Sequence, residues 1–233
     1  MCSVSFVPVE DGFLFTSNRD EKKYRPTIEP KIYIENKVKL LYPKDEKAGG
    51  TWIVTRENGT CIVLLNGAFI NHQKKEDYLK SRGVILKEII TAEDPKFFFT
   101  EMNLKQVEPF TLIIFHNKQL TEVKWDGVEK HIIPKQINKP HFWSSATLYN
   151  SDQQRIRQEW FQDFCTSKSR LTIDNILSFH SNTHSENTEY GLVINRKDKT
   201  QTVSITQLVV KNNKVEMTYL DRVKNKFTKN IRF

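Results

Sequence analysis

Residues 1–21 read MCSVSFVPVEDGFLFTSNRDE, and two apolar runs within them, Ser3 to Val9 and Phe13 to Ser17, flank the turn Glu10-Asp11-Gly12. Asp-Gly between strand-forming runs signals a hairpin, because both residues tolerate the positive φ that a tight turn requires. The chain is therefore expected to open with two antiparallel strands, with Cys2 starting the first and Asn18-Arg19-Asp20-Glu21 closing the second. Strand packing needs neither feature. If Met1 is removed, Cys2 becomes the first residue and acquires its own general base, since an α-amine titrates near pH ~8. Methionine aminopeptidases accept small second residues, cysteine included. Composition alone leaves the alternative of a small buried hydrophobe open.

Outward from this hairpin, a strand is expected at Ile32 to Leu41, followed by Thr51 to Thr55 and Thr60 to Leu65 joined at Asn58-Gly59. A two-residue turn there would set Arg56 against Cys61, Trp52 against Leu65 and Thr51 against Asn66. Asn58-Gly59-Thr60 is formally a glycosylation acceptor, but the hairpin reading is preferred. From Lys75 the period becomes helical through Tyr78, Leu79, Leu86, Ile89 and Ile90, and Asp94-Pro95 opens a short helix through Phe99. Strands resume at Phe110 to Phe115, Leu120 to Trp125 and His131 to Ile133. Helices follow from a Ser151 cap, carrying Ile156, Trp160 and Phe164, and from Leu171 to Phe179. Strands at Tyr190 to Asn195, Thr202 to Val210 and Lys214 to Leu220 complete the order. Antiparallel strands punctuated by helix pairs predict an α+β layered protein.

The 233 residues, 38% hydrophobic and 11% aromatic, suffice for one sizeable core, and one domain over 1–233 is expected. Cys2, Cys61 and Cys165 form neither a disulfide framework nor a CxxC pair, which reads as a reducing compartment. Glu10 and Asp11 interrupt any signal-like apolar stretch, and no run approaches the roughly 18 apolar residues of a membrane span. Cytoplasmic residence is expected. Thirty-six Lys and Arg against 28 Asp and Glu give a net charge of +8, but the excess is diffuse and nucleic-acid binding is not expected. The densest part, Arg222 to Arg232, alternates bases with apolar residues as a solvated edge strand does. His180 and His184 fall in a Ser/Asn/Thr-rich stretch that reads as a helix end or surface loop rather than a metal site. Gly49-Gly50 lacks the lysine and helix of a phosphate loop and reads as a strand entry.

Six pieces in one order carry a resemblance: the initial Met-Cys, Asn18-Arg19-Asp20-Glu21, Arg25-Pro26, Gly49-Gly50-Thr51-Trp52, Leu65-Asn66 and Ser81-Arg82-Gly83. Together they resemble the NRDE family, that of transport and Golgi organisation protein 2, related to N-terminal nucleophile hydrolases. His141-Phe-Trp-Ser-Ser-Ala-Thr-Leu148 resembles a later family segment with Ser145 where asparagine is usual, and Lys199-Thr-Gln-Thr202 one where arginine would be expected. The resemblance implies a four-layer α-β-β-α sandwich. Cysteine members, among them bile salt hydrolases and penicillin V acylases, cleave linear amide bonds. By resemblance Cys2 would attack a carbonyl, Asp20 would hold the α-amine and Asn66 would donate to the oxyanion; no cofactor or metal is implied. From spacing alone Asn66 also reads as a turn residue before Gly67. Bile salt hydrolases carry an arginine three residues before the aspartate, where this chain has Ser17, with Arg19 on the opposite strand face from Asp20 in a regular strand. Arg19 is the candidate to lower the thiol pKa or bind a carboxylate. The substrate class would be a small amide or N-acyl compound, with oligomeric state open. The rival is a non-catalytic ligand-binding or trafficking role, since eukaryotic relatives are linked to secretory organisation, lipid balance and haem handling. Six histidines and no Cys-x-x-Cys-His motif leave haem only generic axial candidates.

Overall fold

The opening hairpin forms as β1 (Ser3–Val9) and β2 (Gly12–Lys22), paired from Ser3 opposite Asn18 to Val9 opposite Gly12. The computed structural model describes residues 3–75, 77–212 and 214–233. The second strand does not stop at Ser17. β11 (Thr200–Lys211) pairs with it from Lys22 back to Gly12, with an irregularity between Thr202 and Ser204, so the polar cluster is strand.

Two antiparallel sheets face each other. The first has the order β10-β1-β2-β11-β12-β13, using β10 (His141–Ser144), β12 (Lys214–Asp221) and β13 (Lys226–Arg232). The second runs in chain order through β3 (Thr27–Glu35), β4 (Val38–Asp45), β5 (Ile53–Arg56), β6 (Cys61–Asn66), β7 (Phe110–His116), β8 (Gln119–Trp125) and β9 (Lys130–Lys135). Phe6, Phe13 and Phe15 of the first sheet meet Phe115 of the second, with the Phe13 and Phe115 rings 4.0 Å apart. Helices α1 (Arg82–Thr91) and α2 (Pro95–Glu101) cover the outer face of the second sheet through Ile85, Leu86, Ile89, Ile90 and Phe99. Helices α3 (Ser151–Thr166) and α4 (Ile173–Asn182) cover the first through Phe161, Ile176 and Phe179, which pack on Val7, Leu14 and Phe142. This is the α-β-β-α sandwich. Among the described residues no helix is long and apolar enough to cross a membrane.

Several boundaries differ from the sequence reading. The single strand at 32–41 is two strands around Asn36-Lys37, both at positive φ (47° and 65°), a tight turn disguised by its lysine. The Asn58-Gly59 hairpin has a three-residue loop: Gly59 sits at φ +81°, the Arg56 amide donates to the Thr60 carbonyl at 2.9 Å, and Thr55 rather than Arg56 pairs with Cys61. The expected pairing is thus one residue out, as a bulge glycine requires. Residues 77–80 are not helical; Leu79 and Lys80 associate instead with Gln106 and Val107, and the helix starts after the Ser81 cap. Residues 190–195 form no strand, only a bridge from Asn195 to Gln201. Asn150, not Ser151, caps α3, in a capping box with Gln153. The basic tail does form an edge strand, β13.

Candidate active site

Period-two alternation sorts the residues of β2 onto two faces. Phe13, Phe15 and Arg19 face the second sheet; Leu14, Asn18 and Asp20 face the layer of α3 and α4. The neighbours Arg19 and Asp20 therefore enter different environments.

On the inner face, Arg19 is 3% exposed and its Nη2 reaches Asp45 Oδ2 at 2.6 Å. Nη1 donates to Thr27 Oγ1 at 3.1 Å, and the guanidinium lies 4.7 Å from the Trp52 ring. Arg25 Nε donates to the same Asp45 oxygen at 2.8 Å. Burial raises the Asp45 pKa, but the Ala48 amide, Arg19 and Arg25 together hold it below the usual carboxylate value. Arg19 borders a cleft of about 700 Å³ shared with Thr51, Trp52, Asn66, Tyr78 and Arg82. Two motif pieces meet at its wall. A Cβ on Gly50 would come within 2.5 Å of Gly83 backbone, and the Thr51 amide donates to the Gly83 carbonyl at 3.3 Å, so glycine at both places lets α1 begin against the strand entry.

Asn66 ends β6 opposite Phe110, and the chain then turns at Gly67 with φ +78°. Ser145 Oγ donates to the Asn66 carbonyl at 2.9 Å, so the serine found where asparagine was expected joins the two sheets at this point. Ser17 is fully buried, and its hydroxyl has no partner among the described residues.

On the outer face, Asp20 accepts from Thr202 Oγ1 at 2.6 Å and from the Tyr149 hydroxyl at 3.1 Å. Asn18 accepts from His180 Nδ1 at 2.7 Å and donates to the carbonyls of His180 and Leu192. That leaves His180 Nε2 to accept from Ser5 Oγ at 2.8 Å. His180 is fully buried in α4, contrary to the surface-loop expectation, because Asn18 and Ser5 satisfy both ring nitrogens. Burial first and the charge of Arg157 second push its pKa down to about 3, so it is neutral. His184 lies past the helix end at φ 49° with its ring against Trp160, and the two histidines do not converge. Lys199 is exposed in a turn at φ 69°, whereas Arg196 donates to the Leu148 carbonyl at 2.9 Å and lies 5.3 Å from the Tyr149 ring. Arg157, Arg196, Tyr149 and Asp45 had no signal in the sequence, because each works through a partner at least 20 residues away. Cys2 lies outside the described residues; Ser3, to which it is joined, pairs with Asn18 on one side and Ser144 on the other.

Two antiparallel sheets between helix pairs, with the initial strand paired on both sides inside its sheet and polar side chains gathered at its first described residue, define an N-terminal nucleophile hydrolase fold. An N-acylethanolamine-hydrolysing acid amidase orthologue from Caenorhabditis elegans matches with TM-score 0.62 and 10% identity, over 89% of this chain and 92% of the other. An arginine-to-leucine variant of conjugated bile acid hydrolase from Clostridium perfringens matches with TM-score 0.55 and 11% identity, over 100% and 97%. No curated protein sequence matches significantly. The family model described as Transport and Golgi organisation 2 matches residues 1–226, and the chain belongs to that family.

Proposed function

We propose that this protein is a cysteine amidohydrolase that cleaves a small linear amide or N-acyl substrate, with Cys2 as its nucleophile after loss of Met1. The observation that carries this reading is the convergence of Arg19, Asn66 and Ser145 at the end of the sheets where β1 begins. Ser3 sits opposite Asn18 and Ser144, so Arg19 and Ser145 are the next positions outward on the flanking strands, on the side from which Cys2 joins. In the proposed cycle the neutral α-amine takes the Cys2 thiol proton as the sulfur attacks the substrate carbonyl, and the resulting ammonium passes that proton to the leaving amine as the C–N bond breaks to leave a thioester. Water activated by the same amine then hydrolyses the thioester. Asn66 stabilises the oxyanion, Asp20 orients the amine, and Arg19, held by Asp45 and Trp52, favours the thiolate and the developing negative charge. Residence in a reducing compartment such as the cytoplasm fits free Cys61 and Cys165.

A binding role is the second reading, favoured by the engagement of Arg19 with Asp45, Thr27 and Trp52, which builds a fixed polar wall without any turnover. Among the described residues lining the cleft there is no histidine to serve as a haem ligand. The test separates the two. Intact mass of the native protein should lack one methionine, and adding a residue before Cys2, or Cys2→Ala, should abolish cleavage of whichever N-acyl amide the processed protein hydrolyses, a loss of several orders of magnitude. Retained Met1, or cleavage unchanged by these variants, overturns the hydrolase reading.

A further inference from the structure

Arg157 lies in the middle of α3, yet it is completely buried. Its Nε donates to Ser144 Oγ at 2.9 Å, its Nη1 to the carbonyls of Tyr190 and Gly191 at 2.6 Å each, and its Nη2 to Ser3 Oγ. The guanidinium lies 4.0 Å from the Tyr149 ring. All of these partners are neutral, and among the described residues no carboxylate forms an ion pair with it. A buried cation without a counter-ion is costly, and an apolar side chain could fill the same space against Phe142 and Phe161. The network continues from Tyr149, whose hydroxyl donates to Asp20, while Ser3 is the residue joined to Cys2.

We infer that Arg157 is a positioning residue for the N-terminal nucleophile: it clamps Ser3 against Ser144 and opposes the field of Asp20, so that the α-amine is held by a carboxylate without being locked in its protonated form. The inference rests on the proposed hydrolase reading. A carboxylate beside an ammonium favours the charged form, and an amine that stays protonated cannot accept the thiol proton. A fixed cation nearby disfavours ammonium and favours thiolate, which lowers both pKa values. Among the described residues, the other charged or titratable groups around this point include Arg19, offset by Asp45 on the cleft side; Arg196 on the Tyr149 ring; and neutral His180 from α4. The charge of Arg157 is the second cause, after burial, of the lowered pKa of His180.

The test is iodoacetamide alkylation of the full-length processed protein across pH 5 to 9, read by peptide mass spectrometry. Burial pushes the Cys61 and Cys165 thiols up to about 12 and about 11, so neither obscures Cys2. Arg157→Met should raise the midpoint of Cys2 alkylation by about one pH unit, about tenfold slower labelling on the acidic side, and Arg157→Lys should recover most of the shift. A purely structural arginine would lower thermal stability in both variants and leave the midpoint of the folded fraction unmoved, which overturns the inference. Should Arg157→Met not fold, Tyr149→Phe keeps the ring under the guanidinium but removes a donor from Asp20. With one donor fewer, the Asp20 carboxylate projects more of its negative field onto the thiol and disfavours thiolate, so the midpoint should again rise; an unchanged midpoint overturns the inference. A processed wild type whose Cys2 labels no faster than Cys165 has a distinct signature and overturns the hydrolase reading together with this one.

Discussion

Arg19 and Arg157 are both buried beside the start of β1, and their charges are handled in opposite ways. Arg19 on the cleft side is met by the Asp45 carboxylate at 2.6 Å, which also takes Arg25. Among the described residues, Arg157 on the helix side is met by hydroxyl and carbonyl oxygens and by the Tyr149 ring, with no carboxylate paired to it. A paired cation acts over a short range and chiefly fixes geometry, whereas a cation bound by dipoles keeps its net charge and projects it. The cleft side is thus built for shape and the helix side for potential.

The largest effect that tests this contrast is expected from Asp45→Asn. It leaves the Arg19 guanidinium buried without its counter-charge and should cost about 3–5 kcal/mol in urea unfolding. The same variant should change the pH dependence. The Asp45 carboxyl is depressed in the folded state, so the stability it adds is complete above its unfolded value of about 4 and is lost as pH falls through the folded value. Asp45→Asn should remove that part of the acid limb; identical acid profiles for the two proteins would break the contrast on the cleft side. Ser144→Ala, which takes one neutral acceptor from Arg157, should cost about 1–3 kcal/mol, with a loss that does not vary between pH 4 and 8. A loss that grows toward acid pH would mean that Arg157 depends on a titrating partner after all. The smallest effect should come from Trp52→Phe. An aromatic face remains under Arg19, and the indole N–H that is removed is buried with no partner among the described residues, so the net change should stay within about 1 kcal/mol by thermal unfolding. A larger loss would show that ring stacking, rather than Asp45, holds Arg19.

Much of the fold was legible because its signals are local. The Asp11-Gly12 turn, the strand from Ser3 to Val9 and the Asp94-Pro95 helix start each depend on residues within one turn or strand, and each stands as read. The misreadings fall where a conformation is chosen by distant contacts. Tyr78 and Leu79 have helical spacing, yet residues 79–80 are taken up by 106–107. His180 has polar neighbours in sequence, yet Ser5 and Asn18 make burial affordable by satisfying both ring nitrogens.

The sequence by itself determined the α+β alternation, the opening hairpin and the ordered motifs that carry the family resemblance, since periodicity, turn chemistry and motif order are properties of the chain read in one dimension. The order of the two sheets and the company kept by each polar side chain were decided only in the tertiary structure. Asp20 meets Thr202, 182 residues on, and Arg157 meets Ser3, 154 residues back. No local pattern encodes such pairings, because the free energy of a buried charge depends on which oxygens the finished fold brings within hydrogen-bond reach.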